Sequence, residues 1–221
     1  MNVLCVVQAR FASRRLPGKA VYPLKGTAML AFLLRRLAVA AESGLGLCLA
    51  TTRNPEDDIL AAWADSLGVP VVRGEEDDVL RRFLACLEAF GAEACIRVTG
   101  DNPLTSLAMI GLVQDALRQG HDYVDGYGDC AVGVGVDGFS RRLLLRLDAL
   151  DLSPAEREHL NRRVLDAPEA FAVHKAPAPP PLRRRDVRLT VDTLADYRDL
   201  TARLARVALP VESIGAIHVL A

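Results

Sequence analysis

Strand-like and helix-like hydrophobic patterns alternate along the first half of this chain. Short apolar runs of strand length occupy 2–8, 45–50, 69–72 and 94–98, and each precedes a segment whose apolar residues recur at helical spacing. An apolar run without polar alternation is typical of a parallel strand that is covered on both faces. The alternation therefore predicts a mostly parallel, doubly wound α/β sheet whose ligands bind at the carboxyl ends of the strands.

Capping residues and composition set the remaining boundaries. Asn54 and Pro55 are suited to cap and begin a helix, and Ser153 with Glu156 has the spacing of a capping box. Helices are also expected over 28–41, 77–90 and 107–118. The Gly- and Asp-rich segment 123–138 is expected to be irregular or antiparallel, 187–191 to form a strand, and a last helix to run from Thr193 to about 207.

Length and charge exclude several classes of protein. A single domain of 221 residues buries about 70% of its unfolded surface, so neither a disulfide nor a structural metal is needed to stabilise the core. The net charge of −1 provides no general attraction for nucleic acid or an anionic membrane, and the arginine run 183–185 is interpreted as solvated or salt-bridged. No apolar stretch is long enough to span a bilayer.

The N-terminus and the cysteines are typical of a cytoplasmic protein. Met1-Asn2 runs straight into an apolar strand without the basic region or cleavage signature of a signal peptide. The histidines lack metal-ligand spacing, and we interpret His121, His174 and His218 as structural or surface residues. The five cysteines include no Cys-x-x-Cys pair, so buried, reduced thiols are expected at Cys5, Cys48, Cys86, Cys95 and Cys130.

The segment that follows the first strand, 8–19 (QARFASRRLPGK), contains four cations, one hydroxyl and a Pro-Gly turn. Arginine can bind two phosphate oxygens at once, lysine supplies a point charge, and Gly18 allows close approach of the backbone, so this composition suits a polyphosphate. It is neither a Walker A loop, because Ala20 follows Lys19, nor a G-x-G-x-x-G turn. A solvated basic loop is the alternative interpretation.

Two aspartates are candidates for a metal site. Asp101 and Asp192 each follow an apolar run, so they can converge at the carboxyl edge of the sheet. Mg²⁺ is typically held by one or two carboxylates together with substrate phosphates. The alternative is structural, since Asp101 can cap the turn before Pro103 and Asp192 can cap the last helix.

The basic loop is similar to the nucleotide-binding signature of the sugar cytidylyltransferases, the CMP-Kdo and CMP-sialic acid synthetases, and it is most similar to the spore-coat polysaccharide biosynthesis SpsF-like branch. Five further blocks resemble that branch in the same order: ATTRNPEDD at 50–58, RGEEDDVL at 73–80, RVTGDNPL at 97–104, EREH at 156–159 and LTVDT at 189–193. The resemblance implies a Rossmann-like nucleotide-diphospho-sugar transferase fold in a single domain, 1–221. Nucleotide binding is then expected in about 1–120, an acceptor and dimerisation subregion in about 121–186, and a closing strand and helix in 187–221.

The resemblance also implies roles for individual residues. Lys19, Arg10 and Asp101 are the expected catalytic residues, and Asp101 and Asp192 the expected ligands of Mg²⁺. Acceptor contacts are expected from Asp137, Glu156 and His159. The remaining nucleotide contacts are expected from Gln8, Ala9, Ser13, Arg15, Gly18, Thr51, Arg73, Asp78, Thr99 and Gly100, with Arg73 and Asp78 in the block that approaches the base and ribose.

The activity that the resemblance implies is attack by a sugar hydroxyl on the α-phosphate of CTP, with release of pyrophosphate, by a homodimer. The segment 125–140 departs from the family because it lacks an arginine for a sugar carboxylate, and only Gly135-Val136-Asp137 matches clearly. A non-catalytic nucleotide-binding protein with a degenerate acceptor site is therefore an alternative. A glycosyltransferase is another, although the pair Asp101-Asn102 does not supply its Asp-x-Asp motif.

Overall fold

The computed structural model of the chain describes residues 1–41 and 44–220. Its first half contains β1 (Val3–Gln8), β2 (Pro23–Leu24), β3 (Thr27–Ala28), α1 (Met29–Ala41), β4 (Gly46–Thr52), α2 (Asp58–Ser66), β5 (Val71–Gly74), α3 (Val79–Ala89), β6 (Ala94–Thr99) and α4 (Leu107–Arg118). Its second half contains β7 (Tyr123–Asp125), β8 (Asp137–Ser140), α5 (Arg141–Asp148), α6 (Pro154–Glu158), α7 (Arg162–Asp166), β9 (Val173–Lys175), α8 (Leu194–Ala205) and α9 (Ile217–Leu220).

One seven-stranded sheet organises the chain, in the order β5-β4-β1-β6-β8-β7-β9. The pairs β5–β4, β4–β1 and β1–β6 are parallel, so the carboxyl ends of these four strands lie at one edge. β8 pairs antiparallel with both β6 and β7, and β9 returns parallel to β7. The predicted α/β class with a mostly parallel sheet is confirmed.

Hydrophobic packing covers both faces of this sheet. Along β1, Val3, Cys5 and Val7 belong to a core cluster shared with α1, α4 and α8. The intervening Leu4 and Val6 belong to a second cluster shared with α3, α5 and α7. Because successive strand side chains point to opposite faces, this continuous apolar run is explained by helices on each side. Within 1–41 and 44–220, no helix has the length and apolar character that crossing a membrane requires.

Several boundaries differ from those expected. The antiparallel strands β7 and β8 extend the main sheet, and the segment 187–191 forms only a single bridge between Arg188 and Val132 rather than a strand. Thr193 caps α8 as expected, but the short helix α9 follows it. Asn54 occupies the N-cap position without a side-chain cap, because its amide donates to Glu76 Oε2 at 2.7 Å. The subregion boundaries near 120 and 186 remain predictions.

The cysteines are free and buried, as expected. Burial raises the pKa of the Cys5 thiol to about 12 and that of the Cys130 thiol to about 11. These thiols therefore pack as apolar groups and carry no charge near neutral pH. The imidazole rings of His121 and His174 stack with centroids 4.2 Å apart, and His218 Nδ1 accepts a hydrogen bond from the Gly215 amide, which fits structural roles.

Candidate functional site

The loop after β1 folds back on itself through a left-handed glycine. Gly18 has φ of 68° and its amide donates to the Phe11 carbonyl at 3.1 Å. A Cβ at this position would lie 3.0 Å from Cζ of Phe11, so the ring occupies the space that a side chain would need. Glycine is therefore required by both conformation and packing. The turn places Lys19 at the start of a 3₁₀ turn, directed toward the sheet edge.

A buried carboxylate holds this loop against the next strand. Asp57 accepts hydrogen bonds from the Phe11 amide at 2.6 Å, from the Thr51 hydroxyl at 2.9 Å, and from the amide and hydroxyl of Thr52. Burial alone would raise the pKa of Asp57, but the bonds from Thr52 and the Phe11 amide outweigh it and hold the pKa below its usual range. The ionised carboxylate of Asp57, 46 residues further along the chain than Phe11, therefore fixes the position of this loop.

Lys19 brings the two candidate metal ligands together. Its Nζ donates to Asp101 Oδ2 at 2.9 Å, to Asp192 Oδ1 at 3.2 Å and to the Val191 carbonyl at 2.7 Å. Arg15 lies 2.6 Å from Asp192 Oδ1, and Arg188 binds the other carboxylate oxygen. The expected convergence of Asp101 and Asp192 at the carboxyl edge of the sheet is thus present in the structure.

The donor set consists of carboxylate oxygens, which suit a hard divalent cation such as Mg²⁺ or Mn²⁺. Within 1–41 and 44–220, no group of three His, Cys, Asp or Glu residues could hold a metal ion by itself. Mg²⁺ is typically held by one or two carboxylates when phosphates complete its coordination. Asp101 and Asp192, which both contact the Lys19 ammonium, supply two. Asp101 and Asp192 fit a metal that arrives together with a phosphate ligand.

A basic cleft of about 440 Å³ lies over the carboxyl ends of β1 and β6. Six cationic side chains and three carboxylates line it, which leaves a surplus of positive charge in a nearly neutral protein. Such a surplus favours a polyanion such as a polyphosphate. Of the predicted residues, the basic cleft gathers Gln8, Ala9, Arg10, Ser13, Arg15, Lys19, Thr99, Gly100, Asp101, His159 and Asp192.

Two arginines of the basic cleft were not predicted from the sequence. Arg97 on β6 lies opposite Asp137 on β8, and Nε and Nη2 donate to its carboxylate oxygens at 2.9 and 2.7 Å. Burial disfavours the charged guanidinium, but the Asp137 carboxylate outweighs it and raises the pKa of Arg97. Arg82 on α3 is also buried. The sequence does contain a signal for Arg97, because an arginine within an apolar strand needs a buried partner for its charge.

A second cleft of about 630 Å³ adjoins the first. The two share Arg15, Thr99, Asp101 and Asp192, so the paired aspartates lie on the boundary between them. One part of its lining is the segment from Tyr127 to Gly133, and the adjoining segment contributes Arg185, Arg188 and Thr190. Arg185 comes from the arginine run that the sequence suggested to be solvated, and its side chain is indeed 71% exposed and paired with Asp129.

Six of the predicted residues, all in the described part of the chain, line neither cleft. Asp137 is fully buried against Arg97, so it affects a ligand only by positioning that guanidinium. Arg73 pairs with Asp58 at 2.7 Å, and Asp78 caps α3 and pairs with Arg157 at 2.9 Å. The other three have structural contacts: Thr51 at the end of β4 donates to Asp57, Gly18 packs against the Phe11 ring, and Glu156 belongs to the capping box of α6.

A cytidylyltransferase family model matches residues 4–147 of the chain. An uncharacterized protein of Methanocaldococcus jannaschii is 33% identical over 199 residues, which cover 90% of this chain and 81% of that protein. The spore coat polysaccharide biosynthesis protein SpsF of Bacillus subtilis is 32% identical over 206 residues, which cover 91% of this chain and 85% of SpsF.

The fold is also similar to that of a solved structure. A cytidylyltransferase from Leptospira borgpetersenii superposes with a TM-score of 0.92 at 30% identity, over 100% of this chain and 92% of that one. The similarity also covers α6 to α9, which lie beyond the residues that the family model matches. Both the basic cleft and the second cleft therefore lie within the shared architecture.

Proposed function

The chain belongs to the cytidylyltransferase family, and on that basis we propose that it transfers CMP from CTP to the anomeric hydroxyl of an acidic sugar, with Mg²⁺ as cofactor. Family membership favours an enzyme over the non-catalytic alternative. The observation that carries the proposal is the pair of clefts joined at Asp101 and Asp192, one rich in cations and the other large enough for a sugar.

The proposed reaction needs positioning and charge neutralisation rather than a covalent intermediate. The acceptor oxygen bonds to the α-phosphorus of CTP, and the bond from that phosphorus to the bridging β-phosphate oxygen breaks. Pyrophosphate departs with that oxygen, and the hydroxyl proton passes to water. Lys19, Arg10 and Arg15 are the residues proposed to bind the β- and γ-phosphates, where negative charge accumulates on the departing pyrophosphate. Fixed cations of this type stabilise such a transition state by several kcal/mol.

Asp101 and Asp192 are the residues proposed to hold Mg²⁺. When bound, the ion would neutralise phosphate charge next to the reacting centre. Lys19 contacts both carboxylates in the structure, so the same ammonium can keep them together before a metal and nucleotide enter.

The second cleft is the proposed acceptor site. Arg185 and Arg188 on its wall are the cations proposed to bind a carboxylate or another anionic group of the acceptor, which the segment 125–140 has no arginine to bind. Each would exchange a present carboxylate partner, Asp129 or Asp192, for that group. Arg188 also contacts Asp192, so an acceptor anion bound there would lie beside the proposed metal ligands. The similarity to SpsF supports a role in polysaccharide biosynthesis. A homodimer and a cytoplasmic location remain predictions from the sequence.

Thermal unfolding in the presence of nucleotides tests the proposal without knowledge of the acceptor. The midpoint is measured with ATP, GTP, CTP, UTP and dTTP, each with and without Mg²⁺, because a ligand that binds only the folded state raises its stability. We expect a shift that is largest for CTP and requires Mg²⁺. Pyrophosphate release from CTP with a panel of acidic and neutral sugars then identifies the acceptor, and the absence of a shift with every nucleotide would contradict the proposal.

A further inference from the structure

Two residues that line the basic cleft each carry a buried polar atom with no partner among the described residues. These atoms are Oε1 of Gln8, an acceptor, and Nε of Arg82, a donor. A buried donor or acceptor without a partner is unfavourable, and native structures rarely contain one without a reason. The occurrence of one donor and one acceptor in the same cleft points to a ligand that presents the complementary pair.

Only part of the Arg82 guanidinium has a hydrogen-bond partner. Its side chain is 2% exposed, and Nη1 donates to the Glu75 carbonyl at 2.9 Å. A Cβ on Gly74 would lie 3.2 Å from its Cγ, so the glycine at the end of β5 allows the side chain to pass. No carboxylate within the described ranges lies at ion-pair distance from it, unlike Arg10 and Arg97, which are both paired.

Gln8 is fixed by the centre of the sheet. It is the last residue of β1, in register with Ala50 on β4 and Thr99 on β6, and its carbonyl accepts from the Gly100 amide at 2.8 Å. The side chain therefore projects from a backbone that is held on both sides. A polar group on such a backbone suits discrimination between similar ligands, because its attachment point does not shift to accommodate the wrong one.

The position of this pair separates it from the proposed phosphate site. Arg82 packs on Gly74 at the end of β5, and the sheet order β5-β4-β1-β6 places that strand on the opposite side of β1 from Asp101, which follows β6. With the triphosphate at Lys19, Asp101 and Asp192, a nucleotide that spans the cleft extends its base toward Gln8 and Arg82. The Gln8 acceptor and the Arg82 donor can then distinguish bases by the hydrogen bonds that each base offers.

We propose that Gln8 and Arg82 recognise the base of the bound nucleotide and that together they select cytosine over uracil. Cytosine presents an N3 acceptor beside an N4 amino donor, which matches the Arg82 N–H and the Gln8 carbonyl oxygen. Uracil presents an N3–H donor beside an O4 acceptor. The Arg82 N–H would then face another donor, and the Gln8 oxygen would face another acceptor. This assignment rests on the proposed function and replaces Arg73, which is paired with Asp58, as the base-contacting arginine.

Binding of CTP and UTP by two variants tests the assignment. Arg82→Met and Gln8→Met keep the length of each side chain and remove its hydrogen bonds. Affinities are measured by calorimetry with Mg²⁺, after circular dichroism has established that each variant is folded. We expect the preference for CTP over UTP to fall by about 10-fold or more in each variant, the usual size of discrimination by a paired hydrogen-bond contact. Arg81→Met, which alters the neighbouring and 68% exposed arginine of the same helix, is the matched control and should keep the preference.

The possible outcomes separate this assignment from the proposed function. If Arg82→Met weakens CTP and UTP equally, the arginine binds phosphate and the assignment is overturned. A wild-type protein that binds the two nucleotides equally also overturns it. Failure of the wild-type protein to bind any nucleotide contradicts the proposed function itself. If Arg82→Met does not fold, Arg82→Lys retains the charge without the planar fork, and an unchanged CTP preference in that variant and in Gln8→Met overturns the assignment.

Discussion

The Lys19 ammonium illustrates how one side chain can organise a charged site before its ligand arrives. It contacts two carboxylates and one carbonyl oxygen at once, and its side chain is only 13% exposed. A cation held in this way needs little rearrangement to exchange a carboxylate for a phosphate oxygen. Preorganisation of this type is the main source of electrostatic catalysis.

Removal of that ammonium should therefore reduce turnover. For Lys19→Ala we expect kcat to fall by about 10²-fold or more, the usual cost of losing a preorganised electrostatic contact. The measurement is pyrophosphate release at saturating CTP with an accepted sugar. Lys25→Ala is the control, because that lysine is exposed and its Nζ donates to the Val207 carbonyl, and it should remain near wild type. Turnover near wild type in Lys19→Ala would remove this lysine from the mechanism.

Asp57 should affect stability rather than specificity. The carboxylate accepts four hydrogen bonds, whereas in Asp57→Asn an amide N–H₂ would face some of the same donors. We expect a loss of about 1.5–3 kcal/mol in the free energy of unfolding at pH 7, the usual value for bonds to a charged group. Urea denaturation measures it. Asp58→Asn, which alters a 68% exposed side chain of the same turn, should cost much less.

The pH dependence of the same variant gives an independent check. The pKa of Asp57 in the folded protein lies below its ordinary value of 3.8, so the unfolded chain binds its proton first as the pH falls. The stabilisation is thus fully present above about pH 5 and is lost as the pH falls through the folded pKa. The difference in unfolding free energy between wild type and Asp57→Asn should shrink below about pH 4. A difference that is constant down to pH 3 would contradict an ionised Asp57.

At the scale of elements, the walls of the second cleft depend on a contact between two backbones. The Leu189 amide donates to the Val132 carbonyl at 2.7 Å, and the Val132 amide donates to the Val187 carbonyl at 2.9 Å. Gly133 has φ of 91°, and a Cβ there would lie 2.6 Å from the Thr190 amide nitrogen. Only glycine allows the two segments to approach this closely.

Gly133→Ala should consequently separate these segments. We expect the free energy of unfolding to fall by about 1–3 kcal/mol, the usual cost of overpacking, with the strained backbone adding to it. Gly111→Ala is the matched control, because Gly111 lies within α4 with nothing within 4 Å of the added Cβ. Helix propensity predicts that this control gains roughly 0.5–1 kcal/mol. Equal effects of the two substitutions in urea denaturation would contradict the close approach.

The sequence predicted the elements with strong periodicity and missed those that depend on a partner. α1, α3, α4 and the four parallel strands were expected close to their observed bounds, because their apolar spacing is local information. β9 is three residues long and exists only through pairing with β7. The run 187–191 is apolar enough for a strand, but the segment opposite it is irregular and gives it a single bridge.

The same limit applies to the site. The basic loop and both aspartates could be identified because composition and position sufficed, whereas Arg82 resembles a solvated residue on an amphipathic helix. Its burial depends on Gly74 in the preceding strand, a contact that no periodicity reveals. Arg73 lies one strand position from that glycine, yet it turns to Asp58 and away from the cleft. Side-chain direction at the end of a strand is decided by its neighbours in space.

For the whole molecule, charge is balanced overall and uneven locally. The net charge is −1, yet cations exceed carboxylates two to one along the basic cleft. Attraction of a nucleotide therefore operates mainly at short range, since fields from the rest of the surface nearly cancel. The arrangement concentrates positive charge at one edge of the sheet.

The buried thiols should report how often the whole structure opens. Cys5, Cys48, Cys86 and Cys95 are at most 1% exposed, so a reagent such as Ellman's disulfide should label these four thiols only when the fold opens, whereas denatured protein should give all five. We expect their labelling to proceed at the opening rate when the chemical step is fast, and to slow further with CTP and Mg²⁺. The measurement is absorbance of the released thiolate over time, and immediate reaction of more than one thiol in native protein would contradict this expectation.

Cys5 and Cys95 lie on adjacent central strands, while Cys86 lies on a covering helix and Cys130 beside the second cleft. Cysteine-specific mass spectrometry of partly labelled protein could thus order the opening of different layers in time. The native thiols are thus distributed from the central sheet to the second cleft, and their labelling times report the order in which these regions unfold without an engineered probe.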